Sequence, residues 1–165
     1  MEDIMQAVRE IAAAHADVTF VYPVHLSPVV RECAGRNLGG IPNVCLIDPI
    51  NVEEMHNLMA RSYLVMTDSG GLQEEAPALG KPVLVMRRET ERPEAIAAGT
   101  AKLAGVETER IVSMANTLLD NPTAYEKMAK AVNPYGDGNA CSRIADAIAW
   151  HFGVQPQRPA DFSAE

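Results

Sequence analysis

Four short apolar runs, with one segment of helical length between each pair, constrain this chain more than any other feature. They are "VTFVY" (18–22), "VCLID" (44–48), "YLVMT" (63–67) and "PVLVM" (82–86), with "AKLAG" (101–105) a weaker fifth. A strand with one face in water alternates polar and apolar residues, whereas these runs are solidly apolar and so call for cover on both faces. Strands of that kind separated by single helices predict a doubly wound, Rossmann-like α/β domain with a parallel sheet.

The intervening segments agree. Ile4, Val8, Ile11 and Ala12 recur at helical spacing over 3–16, with Glu2 and Asp3 suited to the helix N-terminus. Pro28–Arg36 follows Ser27, a candidate N-cap, and closes near Gly39-Gly40; Val52–Arg61 carries a stripe of Met55, Leu58 and Met59. The remainder reads as helices over about 107–120, 122–131 and 139–152. The expected organisation is one domain over 1–152 and a flexible tail over 153–165, where "VQPQRPADFSAE" has the Pro, Gln and Ser content of a frayed end.

Composition narrows the partners. The net charge of −8 argues against nucleic acid, which needs clustered Lys and Arg, but leaves room for one bound phosphate. Cys33, Cys45 and Cys141 form no CxxC pair, and no signal peptide is recognisable, so the thiols are expected to act as small core residues in a reducing cytoplasm. No apolar run is long enough for a membrane span. His15, His25, His56 and His151 share no metal-ligand spacing, so neither metal nor cofactor is expected.

The abrupt polar turn Asp68-Ser69-Gly70-Gly71 lies between two apolar strands. In open α/β sheets ligands bind outside the carboxyl ends of the strands. Two glycines there let backbone approach a ligand, and the helix that follows begins with unpaired N–H groups suited to phosphate. Glu75 lies roughly 6 Å further along the helix, within reach of both hydroxyls of a ribose. The plainer alternative is a strand–turn–helix junction with a good N-cap and a solvated Glu75. Neither a GxGxxG fingerprint nor a Walker loop is present, which disfavours NAD and ATP. Pro77 and Gly80-Lys81-Pro82 limit the helix to little more than two turns, poor scaffolding for a core.

"TDSGGLQEEAPALGKPVLVMR" (67–87), "TERPEAIAAGTAKLAG" (90–105), "NPYGDGNA" (133–140) and "VTFVYPVHLSP" (18–28) together resemble the non-hydrolysing UDP-N-acetylglucosamine 2-epimerases. The resemblance covers nearly the whole chain and implies the C-terminal half of a glycosyltransferase-B arrangement. It implies that Ser69 and Gly70, with Gly71 beside them, hold a UDP diphosphate, that Glu75 holds the ribose, and that Arg92 reaches the nucleotide sugar. For Arg92 the plain alternative is a surface pair with Glu89, Glu91 or Glu94. Met55 stands where many members carry an aromatic against the base, and a thioether is a less defined partner. His25 matches a histidine tied to a regulatory UDP-N-acetylglucosamine site, though a lone histidine after a strand is more often structural. The "NPYGDGNA" segment reads as a turn, Gly136 and Gly138 allowing left-handed backbone.

The family's reaction eliminates UDP across C1 and C2 and adds it back after protonation on the other face. Its acid and base carboxylates lie in the N-terminal domain, and a "HRRE"-type motif precedes the position of Met1 here. The expectation is a truncated gene product with no catalytic residue of its own. It binds UDP and closes the gap between "VTFVY" and "YLVMT" by pairing those strands directly, by exchanging elements with another copy, or by recruiting its missing N-terminal partner. A glycosyltransferase-B C-domain is the alternative, disfavoured because Glu74 and Glu75 are adjacent, and an inactive nucleotide-binding remnant is another.

Overall fold

The computed structural model describes residues 1–161. In chain order the elements are α1 (Glu2–Ala14), β1 (Phe20–Pro23), α2 (Pro28–Leu38), β2 (Val44–Ile47), α3 (Val52–Arg61), β3 (Val65–Thr67) and α4 (Gly70–Ala78). They continue as β4 (Val83–Val85), α5 (Pro93–Ala98), β5 (Ala101–Leu103), α6 (Thr108–Asp120), α7 (Pro122–Ala129) and α8 (Ala140–His151).

Every strand pairing is parallel, as the apolar runs predict: Phe20 opposes Val44, Val65 opposes Val83, and Val83 opposes Ala101. All three residues of β4 are buried, and its alternating side chains feed two cores. Leu84 joins Ala7 and Ile11 of α1 with Ile111, Ala115 and Leu118 of α6. Val83 and Val85 join Met59 of α3, Ala76 of α4, and Ala95.

The layout is the expected doubly wound α/β one, with the sheet interrupted at the expected gap between "VTFVY" and "YLVMT", which β1 and β3 do not close by pairing directly. Strand order is β1-β2 in one sheet and β3-β4-β5 in another, with no ladder between β1 and β3 among the described residues. Backbone direction shows why each sheet stops. Phe20 and Val24 donate to Asn43 and Ile47 at 2.8 and 2.9 Å, which turns them towards β2. In a parallel ladder alternate residues address opposite neighbours, so Val21 addresses the open side. Val65 donates to Pro82, and Thr67 accepts from Met86, both at 2.9 Å, which leaves Met66 addressing the open side of β3. The two sheets are nevertheless one body, because Phe20 of β1, Met66 of β3 and Leu64 just before it pack on the cluster that contains Ala7 and Ile11.

Other departures are local. β1 starts two residues later than the apolar run and includes Pro23, whose missing N–H falls on the open side. The unexpected helix α5 opens on Pro93 and closes on Gly99 at φ 83°, a left-handed stop that glycine adopts without strain. The short helix α4 has the expected length of little more than two turns, with Pro77 inside its last turn, but it is core scaffolding after all, burying Gln73, Ala76 and Pro77. Of the three thiols only Cys33 is buried; Cys45 and Cys141 are exposed. Ser27 stands at the N-cap of α2 but makes no side-chain cap bond.

Candidate functional site

The turn after β3 is built from its own side chains. Thr67 Oγ1 accepts the Ser69 N–H at 3.0 Å. Ser69 is the N-cap of α4, yet its hydroxyl makes no cap bond to the helix. Gly70 and Gly71 form the first helical turn. A Cβ on Gly70 would stand 2.8 Å from Glu91 Oε1, so the carboxylate of Glu91 lies against the backbone that opens the helix. Arg87 Nη1 donates to the other oxygen of Glu91 at 2.5 Å. Its own backbone N–H, then Arg87 and Arg92, hold the Glu91 carboxyl below its usual range. An anionic group thus lies beside a helix start, whose N–H groups and dipole suit an anion. An open cavity of about 520 Å³ is lined by Arg87, Arg88, Glu89, Thr90 and Glu91.

Gln73 ties this turn to the loop of Arg92. It is fully buried. Its Nε2 donates to the Ser69 carbonyl at 3.2 Å, and its Oε1 accepts from Thr90 Oγ1 at 2.5 Å. Thr90 Oγ1 in turn accepts the Arg92 N–H at 3.0 Å. Arg92 does not pair with a glutamate side chain of its own loop. Its Nε donates to Glu74 Oε1 across from α4, and Nη1 donates to the Glu91 carbonyl at 3.3 Å. The Glu74 bond above all raises the guanidinium's pKa further.

Glu75 faces α3, where Asn51 and Glu54 form a reciprocal capping box that fixes the helix start. Glu75 Oε2 lies 3.0 Å from His56 Nε2. Met55, one residue earlier, packs against the core cluster of Met59 and Val85. Met55, Glu75, Ser69, Gly70, Gly71 and Arg92 therefore belong to one connected region on α3, α4 and the loop before α5. His25 lies apart, after β1 in the other sheet. It is exposed, and its Nδ1 accepts the Ser27 N–H at 3.1 Å, a structural use of the ring.

Gly136 and Gly138 do adopt left-handed backbone, φ 125° and 81°. Between Asn133 and Gly136 the segment also delivers Tyr135, whose ring packs on the Val83–Val85 core. Burial above all raises its phenol; Glu94 and Glu74 add to the rise, and the Ala95 N–H and Arg92 oppose it. Tyr135 thus stands in the field of the Glu74–Arg92 pair, which a bare turn motif does not announce.

The UDP-N-acetylglucosamine 2-epimerase family profile matches residues 1–149. The chain belongs to the UDP-N-acetylglucosamine 2-epimerase family. It is 50% identical over 165 residues to the UDP-N-acetylglucosamine 2-epimerase of Bacillus subtilis, covering all of this chain and 43% of that one. The Escherichia coli K12 enzyme is 54% identical over 147 residues, covering 89% of this chain and 39% of its own length. Among solved structures, the S. aureus MnaA–UDP co-structure superposes with a TM-score of 0.93 at 44% identity, over 99% of this chain and 45% of that one. The Neisseria meningitidis UDP-GlcNAc 2-epimerase bound to UDP-GlcNAc gives 0.85 at 46% identity, over 89% and 40%. The chain thus spans less than half the length of these relatives.

Within this epimerase-family chain the residues to which sequence reasoning gave no place in the site are His56, Gln73 and Tyr135, and Glu91 was named only as a surface pair for Arg92. Gln73 left a signal, a polar residue on the inward side of a short helix. His56 left none beyond its place beside Met55.

Proposed function

We propose that this chain is the nucleotide-binding half of a UDP-N-acetylglucosamine 2-epimerase. The diphosphate sits at Ser69-Gly70-Gly71, Glu75 receives the ribose hydroxyls, and α3 at Met55 borders the base. Arg92, steadied by Glu74, adds a charge-assisted bond to phosphate, about twice as strong as a neutral one. The carrying observation is the glycine start of α4 at the end of β3, joined through buried Gln73 to the arginine loop. Homologous structures described as bound to UDP or UDP-GlcNAc support the ligand class.

The whole reaction, interconversion of UDP-GlcNAc and UDP-ManNAc by elimination and readdition of UDP, needs acid and base groups near C2. None of the residues assembled here takes that role, so the isolated chain binds UDP without turning it over. It works with a second polypeptide or another copy that meets the open sides of β1 and β3. His25 enters only as a regulatory contact for a second nucleotide sugar, through Nε2, since Nδ1 serves Ser27. Two exposed free thiols, Cys45 and Cys141, favour the cytoplasm as its compartment.

Calorimetry with UDP tests this reading. Millimolar to micromolar binding is expected for the natural chain, and Gly70→Val, which puts a side chain where the diphosphate would approach the backbone, should weaken it strongly. Absence of heat with the natural chain overturns the proposal.

A further inference from the structure

His56 is the polar contact that the family resemblance does not explain. It sits on α3 within one turn of Asn51-capped backbone, next to Met55, and points its Nε2 at Glu75 Oε2 from 3.0 Å. The two residues are 19 apart in sequence and meet only because α3 packs beside α4. The other oxygen, Oε1, rests over the first turn of α4, where a Cβ on Gly71 would stand 3.4 Å away. The carboxylate is thus held at one oxygen by an imidazole, and the missing Cβ of Gly71 leaves room beside the other. About two fifths of the Glu75 side chain remains open to solvent, at 41% exposure.

We infer that His56 is a positioning residue for ribose recognition: it orients the Glu75 carboxylate so that both hydroxyls of a ribose can donate to it. This rests on Glu75 being the ribose acceptor. An ionised carboxylate has about four acceptor positions, so one bond from the imidazole leaves room for two from a diol. A free glutamate has several rotatable bonds to immobilise, at a cost that the ligand bears on binding. Fixing the carboxylate beforehand removes part of that cost. The imidazole acts through its donor tautomer with hydrogen on Nε2, or as the cation. A glutamine at this position presents an amide N–H near the same point, so the function survives His56→Gln and is lost in His56→Ala.

The discriminating quantity is the preference for ribose over deoxyribose. Kd values would be measured calorimetrically for UDP, 2′-deoxy-UDP and pyrophosphate with the natural chain, His56→Ala, His56→Gln and Glu75→Ala. His56→Ala should weaken UDP roughly three- to tenfold, the effect of one hydrogen bond. It should shrink the UDP to 2′-deoxy-UDP ratio by a similar factor and leave pyrophosphate unchanged. His56→Gln should restore most of the ratio. Equal losses for all three ligands, or an unchanged ratio in His56→Ala, would overturn the assignment, as would a glutamine that restores nothing. If Glu75→Ala collapses the ratio while His56→Ala does not, the positioning role alone fails. If Glu75→Ala leaves the ratio intact, the ribose assignment fails with it.

Discussion

Glu74 and Glu75 are neighbours in sequence with different employment. Successive residues on a helix do not share a face, so Glu74 turns to Arg92 and Glu75 to His56. Both pairs are partly exposed, and such ion pairs contribute at most about 1 kcal/mol to stability, so their value lies in orientation. Glu75→Ala should weaken UDP by ~1.5–3 kcal/mol, the range for hydrogen bonds to a charged group, with pyrophosphate nearly untouched. Equal losses in calorimetry would mean that Glu75 acts on the helix rather than on the sugar. Gln73→Leu should behave differently. It leaves the Ser69 carbonyl and the Thr90 hydroxyl without their buried partner and should destabilise the fold by ~1–3 kcal/mol. It should also weaken UDP and pyrophosphate alike, since turn and arginine loop lose their common tie. Urea unfolding and calorimetry check the two halves, and a variant of natural stability would remove Gln73 from this role.

At the scale of elements, the C-terminal segment offers a test through pH. Asp137 accepts from Arg143 at 2.7 and 2.6 Å and from the Asn139 N–H at 3.0 Å. The Arg143 bonds first, then those of Asn139, hold its carboxyl well below the usual range. A depressed folded value means the contribution is complete above the unfolded carboxyl value of about 3.9 and is lost as pH falls towards the folded one. The difference in melting temperature between the natural chain and Asp137→Asn should therefore be constant near neutrality and shrink below about pH 4. A difference of equal size at pH 7 and pH 3 would rule out linkage through Asp137.

For the molecule as a whole, the unusual fact is a sheet in two pieces held by one core. Val21 and Met66 address backbone groups to a side that no described strand occupies, and free strand edges are templates for another chain. None of the residues of α8 is buried, and Ile144, Ile148, Trp150 and Phe152 stay exposed along and just past it. Light scattering should accordingly show a dimer or larger species, and a clean monomer at high concentration would refute this. Proton exchange at C2 of UDP-GlcNAc should be absent for the isolated chain and appear only when an N-terminal half of a relative is added; exchange by the chain alone would overturn the division of labour.

Strand positions, parallel sense, most helix limits and the polar turn were all legible, because each rests on local chemistry: apolar continuity, caps, and glycine or proline at a stop. The weak run over 101–105 proved to be β5, and the resemblance in the motifs pointed to the family without any contact being known. The sequence by itself therefore determined which segments are strands and where the polar turn at the end of β3 falls. Only tertiary structure decided the partners. Gln73 with Thr90, Arg92 with Glu74, and Glu75 with His56 are separated by 17, 18 and 19 residues. Each depends on how α3, α4 and the loop before α5 are rotated on β3 and β4, which packing sets and local pattern does not. The gap in the sheet was expected from the sequence, but only the structure shows that the shared core under α1, rather than any ladder among the described residues, holds the two halves together.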